Sequence, residues 1–272
     1  MQKQKILLTK EIKETRVEFK AIANPKEALA AIVKMIRETE STLDFSTFII
    51  KPDEAGRIII SELLKAAQRG VKIRMIVDSY GSFKSIRTDL KILAKHPNVE
   101  LTSFNSLTNW LRYSKTFLGW LLDKFGFPVK DRSNNKLFHN RLHDKIIVSD
   151  RGLTNMLVMI GGRNAGEEYF GIGKSKKLKN AFLDLNVLIR PKDPKSEFSQ
   201  DLNDYFESLF YHQTNQLLVQ SGFNFFSSDS KTQKKILEAI ENNRWLEDAL
   251  DAFNSNHFFE ENFESASLKM VH

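Results

Sequence analysis

The sequence predicts an α/β fold, in which strands and helices alternate and pack as a sandwich around a mixed β-sheet. Stretches with helical spacing of apolar residues alternate with short runs rich in β-branched residues, which indicates this arrangement. The composition agrees, because 41% hydrophobic and 28% charged residues are typical of a globular protein. A chain of 272 residues can hold one large domain with a sizeable core and an appendage.

The elements follow from local signals. Asn24-Pro25 supplies a cap and a first turn for a helix over 26–40. Residues 43–50 alternate like a strand, and Gly70 ends an amphipathic helix over 57–69. The other predicted elements are strands at 71–77, 99–104 and 184–189, and helices at 88–95 and 198–211.

A hairpin is predicted between residues 143 and 164. Apolar runs at 146–148 and 156–160 flank a turn-forming segment, 149–155. Because side chains alternate along a strand, His143 and Lys145 share one face. If the hairpin is symmetric about its turn, His143 lies opposite Asn164 and Lys145 opposite Gly162.

These residues suit phosphoryl chemistry. The missing side chain of Gly162 leaves room for a bound group beside the Lys145 ammonium. Lys145 and Asn164 offer donors to phosphate oxygens, and His143 supplies a nucleophilic nitrogen near neutral pH. The pattern therefore predicts a site that breaks and remakes a phosphodiester bond without a metal, and no cofactor is expected.

The pattern H-x-K-x4-D with a trailing G-G-x-N resembles the HKD signature of the phospholipase D superfamily. Residues 46–57, 63–82 and 161–170 resemble the first half of bacterial cardiolipin synthase-like members, and 182–187 resemble the strand that closes their first catalytic domain. The likeness covers about residues 25 to 210. It implies a phospholipase D-like sandwich, with a mixed β-sheet flanked by helices on both faces.

The resemblance also implies a two-step mechanism. His143 attacks phosphorus and forms a phosphohistidine, while a second His protonates the departing alcohol. Lys145 and Asn164 hold the phosphate oxygens, where negative charge must be stabilised. Water or a second alcohol then resolves the intermediate. We expect a phosphatidyltransferase or phosphodiesterase that acts on glycerophospholipids.

One further catalytic residue and three supporting residues are expected. An acidic residue normally orients the nucleophilic imidazole; Asp184 matches that position best, and Glu168 is the reserve. Asp150 is expected to support the hairpin rather than to touch substrate, and Gly162 to provide space.

The chain carries one copy of the motif. It has six His residues, and among them His143 alone is followed by Lys two positions later. A second motif is expected from a missing half of a longer protein, which we favour, or from a homodimer partner. Two alternatives remain open, a homodimeric single-motif endonuclease and an inactive fragment that binds phosphate or membrane.

The domain division follows the resemblance. Residues 1–24 form an N-terminal extension, 25–212 the catalytic domain, and 213–272 a helical linker or the start of the missing half. An amphipathic insertion at about 106–127 packs on the core or lies on a membrane surface.

Four residues around the motif are candidates for contacts with substrate or membrane. Within the insertion, Trp110 and Trp120 are available near an interface. Just before the motif, Arg141 and His139 are candidate substrate contacts; the fork of Arg141 suits oxyanions better.

Net charge and composition limit the kinds of partner and chemistry that the chain can have. A net charge of +7 favours an anionic phospholipid and membrane surface, or nucleic acid under the nuclease alternative. The absence of Cys excludes disulfides, thiolate catalysis and Cys-bound zinc. No run approaches the roughly 18 apolar residues of a spanning helix, and no signal peptide is visible. The expected location is the cytoplasm or the periphery of the inner membrane.

Overall fold

The computed structural model describes residues 15–86, 88–105, 141–173, 182–212, 215–218, 230–241 and 243–268. The strands are β1 (Thr15–Ile22), β2 (Thr42–Thr47), β3 (Lys72–Asp78), β4 (Val99–Phe104), β5 (Ile146–Ser149), β6 (Leu157–Gly161), β7 (Asn186–Pro191), β8 (Gln216–Leu217) and β9 (Glu264–Leu268). The helices are α1 (Pro25–Glu38), α2 (Glu54–Gln68), α3 (Phe83–Ile86), α4 (Asp89–Leu93), α5 (Glu167–Phe170), α6 (Glu197–Phe210), α7 (Ser230–Glu241) and α8 (Arg244–Ser255).

The nine strands form one mixed sheet in the order β8-β4-β3-β2-β5-β6-β7-β1-β9. Strands β2, β3 and β4 are parallel, and the other pairs are antiparallel. Helices α1 and α2 pack on one face through the larger apolar cluster, and α6 covers the other face through Phe198 and Leu202. This architecture confirms the predicted α/β sandwich with helices on both faces of a mixed sheet.

Helix α1 begins where its capping signal predicts. The Asn24 side chain accepts hydrogen bonds from the backbone N–H groups of Lys26, at 2.9 Å, and Glu27, at 3.3 Å, while Pro25 occupies the first helical turn. Helix α2 uses Asp53 in the same way, and its carboxylate accepts from the N–H of Gly56 at 3.0 Å. These caps fix the two helices that cover the sheet face on which Lys145 lies.

The predicted register of the β5–β6 hairpin is wrong by one residue. Ile146 pairs with Ile160, and the Gly161 N–H donates to the Lys145 carbonyl at 3.2 Å, so Lys145 lies opposite Gly161 rather than Gly162. Within the turn, Asp150 adopts a left-handed conformation, with φ 47°. Its carboxylate accepts hydrogen bonds from the backbone of residues 40–42 and from the Asn155 side chain of the same turn, so the observed turn is held by local and distant contacts together.

Strand β1 lies within the segment that was expected to be an N-terminal extension, and it pairs with both β7 and β9. Residues 230–241 and 243–268 were expected to be a linker or the start of a second half. They form α7, which packs on α2 and α4, α8, which packs on α1, and β9, which pairs with β1 at the edge of the sheet. The predicted insertion at 106–127, with Trp110 and Trp120, and also His139, lie outside the described residues. Among the described residues, no helix has the length and apolar character needed to cross a membrane.

Candidate active site

One end of the sheet gathers most of the residues that the sequence singles out. Strands β2 and β3 end there, while β5 and β7 begin there, because β5 and β7 run opposite to β2 and β3. Residues 141–145 and 182–185 therefore enter the sheet at the same end at which β6 leaves it for residues 162–166. Asp150 is the exception, since it lies in the turn at the opposite end.

His143 and Lys145 lie together against the ring of Phe48. The His143 ring centroid is 5.2 Å from that of Phe48, and the Lys145 Nζ lies 5.6 Å from the same centroid. His143 is exposed, whereas Lys145 is only 8% exposed and donates to the His143 carbonyl at 2.6 Å. The sequence indicated no role for Phe48, which follows β2 and is distant from the motif along the chain.

Burial and two nearby carboxylates have opposite effects on the pKa of Lys145, and the net effect lowers it. Burial, the largest effect, lowers the pKa of Lys145, and the negative charges of Asp144 and Asp184 act in the opposite direction. A buried ammonium interacts strongly with an anion that enters beside it, because little water screens the charge. Lys145 thus provides a fixed cation next to the exposed imidazole.

Asp144, between the two motif residues, is bound by helix α6. The Tyr205 hydroxyl donates to the Asp144 carboxylate at 2.5 Å, and the same contact, after burial, raises the pKa of Tyr205. Since alternate side chains leave a strand on opposite sides, this bond holds Asp144 toward α6 and turns His143 and Lys145 toward the other side. The sequence pattern identified neither member of this pair.

Asn164 is buried and held on both sides. Its side-chain oxygen accepts the backbone N–H of Ile49 at 3.1 Å, and its amide nitrogen donates to the Tyr169 hydroxyl at 2.8 Å. The amide has two N–H groups, and Tyr169 accepts one of them. The second N–H leaves a donor for the phosphate contact that the sequence predicts for Asn164.

Asp184 occupies the space that Gly162 leaves open. A Cβ at position 162 would lie 2.1 Å from the Asp184 Oδ1 and 2.4 Å from its Oδ2. The space beside Gly162 therefore holds a carboxylate, whereas the sequence had assigned it to the bound group. A Cβ at Gly161 would meet the Asn186 side chain at 2.6 Å, so both glycines serve the close approach of residues 184–186.

Arg163 fixes the chain at Asp184 from inside the protein. Its guanidinium is 3% exposed and donates to the carbonyls of Ala23, at 2.6 Å, and Asp184, and to the Asn186 side chain, at 2.7 Å. Burial lowers the pKa of Arg163, and the charge of Asp184 opposes that effect. Arg163 occupies the unspecified position of G-G-x-N, so the motif gave no signal for it.

Three other candidates make contacts that support the fold. Asp150 is 1% exposed, and its carboxylate accepts the N–H of Ser41 at 2.7 Å and the Asn155 side chain at 2.8 Å. Glu168 forms an ion pair with Lys51. Arg141 is half-buried and stacks at 5.1 Å over the ring of Tyr80.

Buried Asp78 connects the turn after β3 to the segment that leads into His143. One of its oxygens accepts the N–H groups of Tyr80 and Gly81, each at 2.9 Å, and the other accepts the Leu142 N–H at 3.2 Å. The sequence left open whether Asp78 lines the site or caps the turn. The structure shows the turn contact and adds a backbone contact one residue before His143.

Comparisons with known proteins agree with this description. Residues 32–210 match the family model described as cardiolipin synthase, PLD-like domain. Over 162 residues the chain is 32% identical to cardiolipin synthase C of Escherichia coli K12, a match that covers 60% of this chain and 29% of that protein. Over 155 residues it is 30% identical to probable cardiolipin synthase YwiE of Bacillus subtilis, covering 57% of this chain and 26% of that protein.

A solved structure supports the fold. The phosphatidylserine synthase of Haemophilus influenzae superposes with a TM-score of 0.50 at 12% identity, over 93% of this chain and 46% of that one. The chain spans less than a third of the length of the curated relatives that it matches. Because the family model covers well over half of the chain, this protein belongs to the phospholipase D-like family, with the cardiolipin synthase type of domain.

Proposed function

We propose that this chain supplies one motif of a phospholipase D-type site that transfers or hydrolyses phosphatidyl groups of glycerophospholipids. The observation that carries the proposal is the pairing of an exposed imidazole, His143, with a buried ammonium, Lys145, against one aromatic ring. The likeness to cardiolipin synthases favours a phospholipid over other phosphodiesters.

The reaction proceeds through a phosphohistidine at His143. A ring nitrogen of His143 attacks phosphorus and forms a P–N bond, while the P–O bond to the departing alcohol breaks. A His from a second motif gives its proton to the leaving oxygen and then takes a proton from the water or alcohol that attacks phosphorus. The P–N bond breaks in this second step, and His143 is regenerated.

The neighbours of His143 stabilise the charge that develops. Lys145 faces the non-bridging phosphate oxygens, and the remaining N–H of Asn164 donates to one of them. Asp184 orients the imidazole and stabilises its positive charge, a role that its closeness to Lys145 and its anchoring through Arg163 support. Asp144 and Tyr205 keep the motif turned toward the substrate side.

The second motif comes from another part of a longer protein or from a second copy of this chain. Both relatives are more than three times as long as the segment they share with this chain, which favours the first arrangement. An anionic phospholipid surface is the proposed partner, and the net charge of +7 is suited to it.

A phosphatidyl ester of p-nitrophenol tests the first step separately. Its leaving group departs as a stable anion, so attack by His143 does not require the acid from the second motif. We expect wild-type protein to release up to one p-nitrophenolate per chain in a burst and to carry a phosphatidyl group on His143, detected by mass spectrometry after alkaline quenching. The burst should be absent in His143→Asn. Equal bursts in the two proteins would refute the proposed role of His143.

A nuclease function remains the alternative, because a surface of charge +7 also suits a phosphate backbone. Labelled phosphatidylglycerol and plasmid DNA, each incubated with the protein in chelator, separate the two functions. DNA cleavage at low salt with unmodified lipid would replace the lipid proposal, provided that His143→Asn abolishes the cleavage. Protein that binds either anion and forms no phosphohistidine with the activated ester would be the inactive fragment.

A further inference from the structure

Exposed apolar side chains are concentrated at the end of the sheet that carries His143. Nine large hydrophobic side chains of the described residues are exposed, and five of them lie in the two segments beside the site: Tyr80, Phe83, Phe182, Leu183 and Leu185. Tyr80 is 75% exposed and Leu183 is fully exposed. Tyr80 contacts Arg141 and Phe182 contacts Tyr169, and the apolar area of the group that stays exposed to solvent calls for another explanation.

The five residues flank the site on two sides. Tyr80 and Phe83 follow the end of β3, and residues 182–185 precede β7. In the order β3-β2-β5-β6-β7, the strand that follows His143 occupies the middle position. Four inter-strand spacings of about 4.8 Å place the two apolar groups roughly 19 Å apart, with His143 between them.

Cations accompany the apolar residues. Lys84 is exposed next to Phe83. Arg141 stacks on Tyr80 at 5.1 Å and also lies 3.8 Å from the carboxylate of buried Asp78. Aromatic and aliphatic side chains with cations beside them are the composition of protein surfaces that lie in the headgroup region of a bilayer with anionic lipids. A stable protein interface instead buries a continuous patch with an apolar centre, and here the centre between the two apolar groups is the polar site itself.

We propose that Tyr80, Phe83, Phe182, Leu183 and Leu185 form an interfacial rim that inserts into a phospholipid bilayer around the site. This inference rests on the proposed function, because it explains how a lipid phosphate reaches His143. With the two sides of the rim in the headgroup layer, a phosphate in that layer lies level with the imidazole, and its acyl chains remain in the membrane.

Vesicle binding by the full chain tests the rim. The vesicles consist of phosphatidylglycerol and phosphatidylcholine in equal parts, and binding is measured by flotation. We expect Leu183→Asp and Tyr80→Asp each to weaken binding about tenfold, since each removes a buried apolar contact and adds a charge. Leu153→Asp is the matched control, because Leu153 is 43% exposed in the turn at the opposite end of the sheet and should bind as wild type does.

Vesicle binding at high salt distinguishes insertion of the rim from attraction by the net charge of the protein. At about 1 M salt the Debye length falls to ~3 Å, so binding through charge alone disappears, whereas insertion of the rim persists. Binding that is lost entirely at this salt concentration, or that is equal in all three variants and wild type, would overturn the rim. So would a Leu183→Asp variant that binds vesicles normally but loses an oligomer by light scattering, since a protein partner would then cover these residues.

The proposed function is measured separately with the p-nitrophenyl ester dispersed in detergent micelles, which needs no bilayer. Normal vesicle binding through the rim without phosphohistidine would reject the proposed function and retain a membrane-binding surface. Phosphohistidine formation in micelles with vesicle binding that the rim variants do not change would retain the proposed function and reject the rim.

Discussion

Replacement of Gly162 by Ala provides a direct test of how Asp184 serves the site. The new Cβ would lie 2.1 Å from the Asp184 Oδ1 and 2.5 Å from its Cγ, whereas unstrained heavy-atom contacts begin near ~3.5 Å. The carboxylate must therefore retreat by roughly 1.4 Å, since β6 and the backbone at Asp184 are fixed by Arg163. A misplacement of about 1 Å costs on the order of 10²-fold in rate, and we expect a loss of that size.

The assay is the burst of p-nitrophenolate, measured in a double-mutant cycle with Asp184→Ala. If Gly162→Ala acts by moving the carboxylate, it should slow the wild-type background about 10²-fold and the Asp184→Ala background less than about twofold. Gly152→Ala is the control for backbone strain, because Gly152 has φ +75° and a Cβ at this position would have no atom within 4 Å. It should lower stability by about 1 kcal/mol and leave the burst rate unchanged.

Two outcomes would refute this reasoning. Equal rate losses from Gly162→Ala in both backgrounds would mean that the methyl group acts on something other than Asp184. A wild-type rate in Gly162→Ala, with an unchanged melting temperature, would mean that the carboxylate has other room or no role in the burst.

Two further predictions concern the carboxylates of Asp144, beside the site, and Asp150, at the opposite end of the sheet. Asp144→Asn should move the alkaline limb of the pH–rate profile to lower pH. The charge of Asp144 raises the pKa of Lys145 against the effect of burial, so without it the ammonium is lost at lower pH. Asp248→Asn, at an exposed position of α8, should leave the limb in place, and an unmoved limb in both variants would contradict the prediction. Asp150→Ala should lower the free energy of unfolding by about 2 kcal/mol in urea titrations, since the part-buried N–H groups of residues 40–42 lose their acceptor, while the burst rate of the folded protein stays unchanged. A slower burst at full stability would instead give Asp150 a role in the site.

The elements with strong local signals were predictable from the sequence. The helix predicted over 26–40 is observed as α1, Pro25–Glu38, because a capping Asn, a Pro in the first turn and an apolar face all agree. The strand predicted over 71–77 is observed as β3, Lys72–Asp78. Strand β1 was missed although Val17, Phe19 and Ala21 alternate with charged residues, because the likeness that gave the domain boundaries begins at about residue 25.

For the site, the sequence predicted the types of residue and the side of the strand on which they lie. His143 and Lys145 share a side as expected, but the register with β6 differs by one residue, and the turn that joins the two strands contacts residues 40–42, more than 100 residues away. Phe48 and Tyr205 reach the motif from β2 and α6 through the fold alone. Long-range contacts of this kind leave no periodic trace in the sequence.

The position of β1 has a consequence for how the molecule is made. Its two partners, β7 and β9, come from residues 186–191 and 264–268, so β1 leaves the ribosome long before either neighbour exists. During that interval its hydrogen-bonding edge has no native partner, and the slow step of folding should be its insertion between the two late strands. A recombinant fragment that starts at residue 25 would lack β1 and leave β7 as an open edge directly after Asp184. Such a fragment would be prone to aggregate through that edge, and any shortened form of the chain should therefore retain residues 15–22.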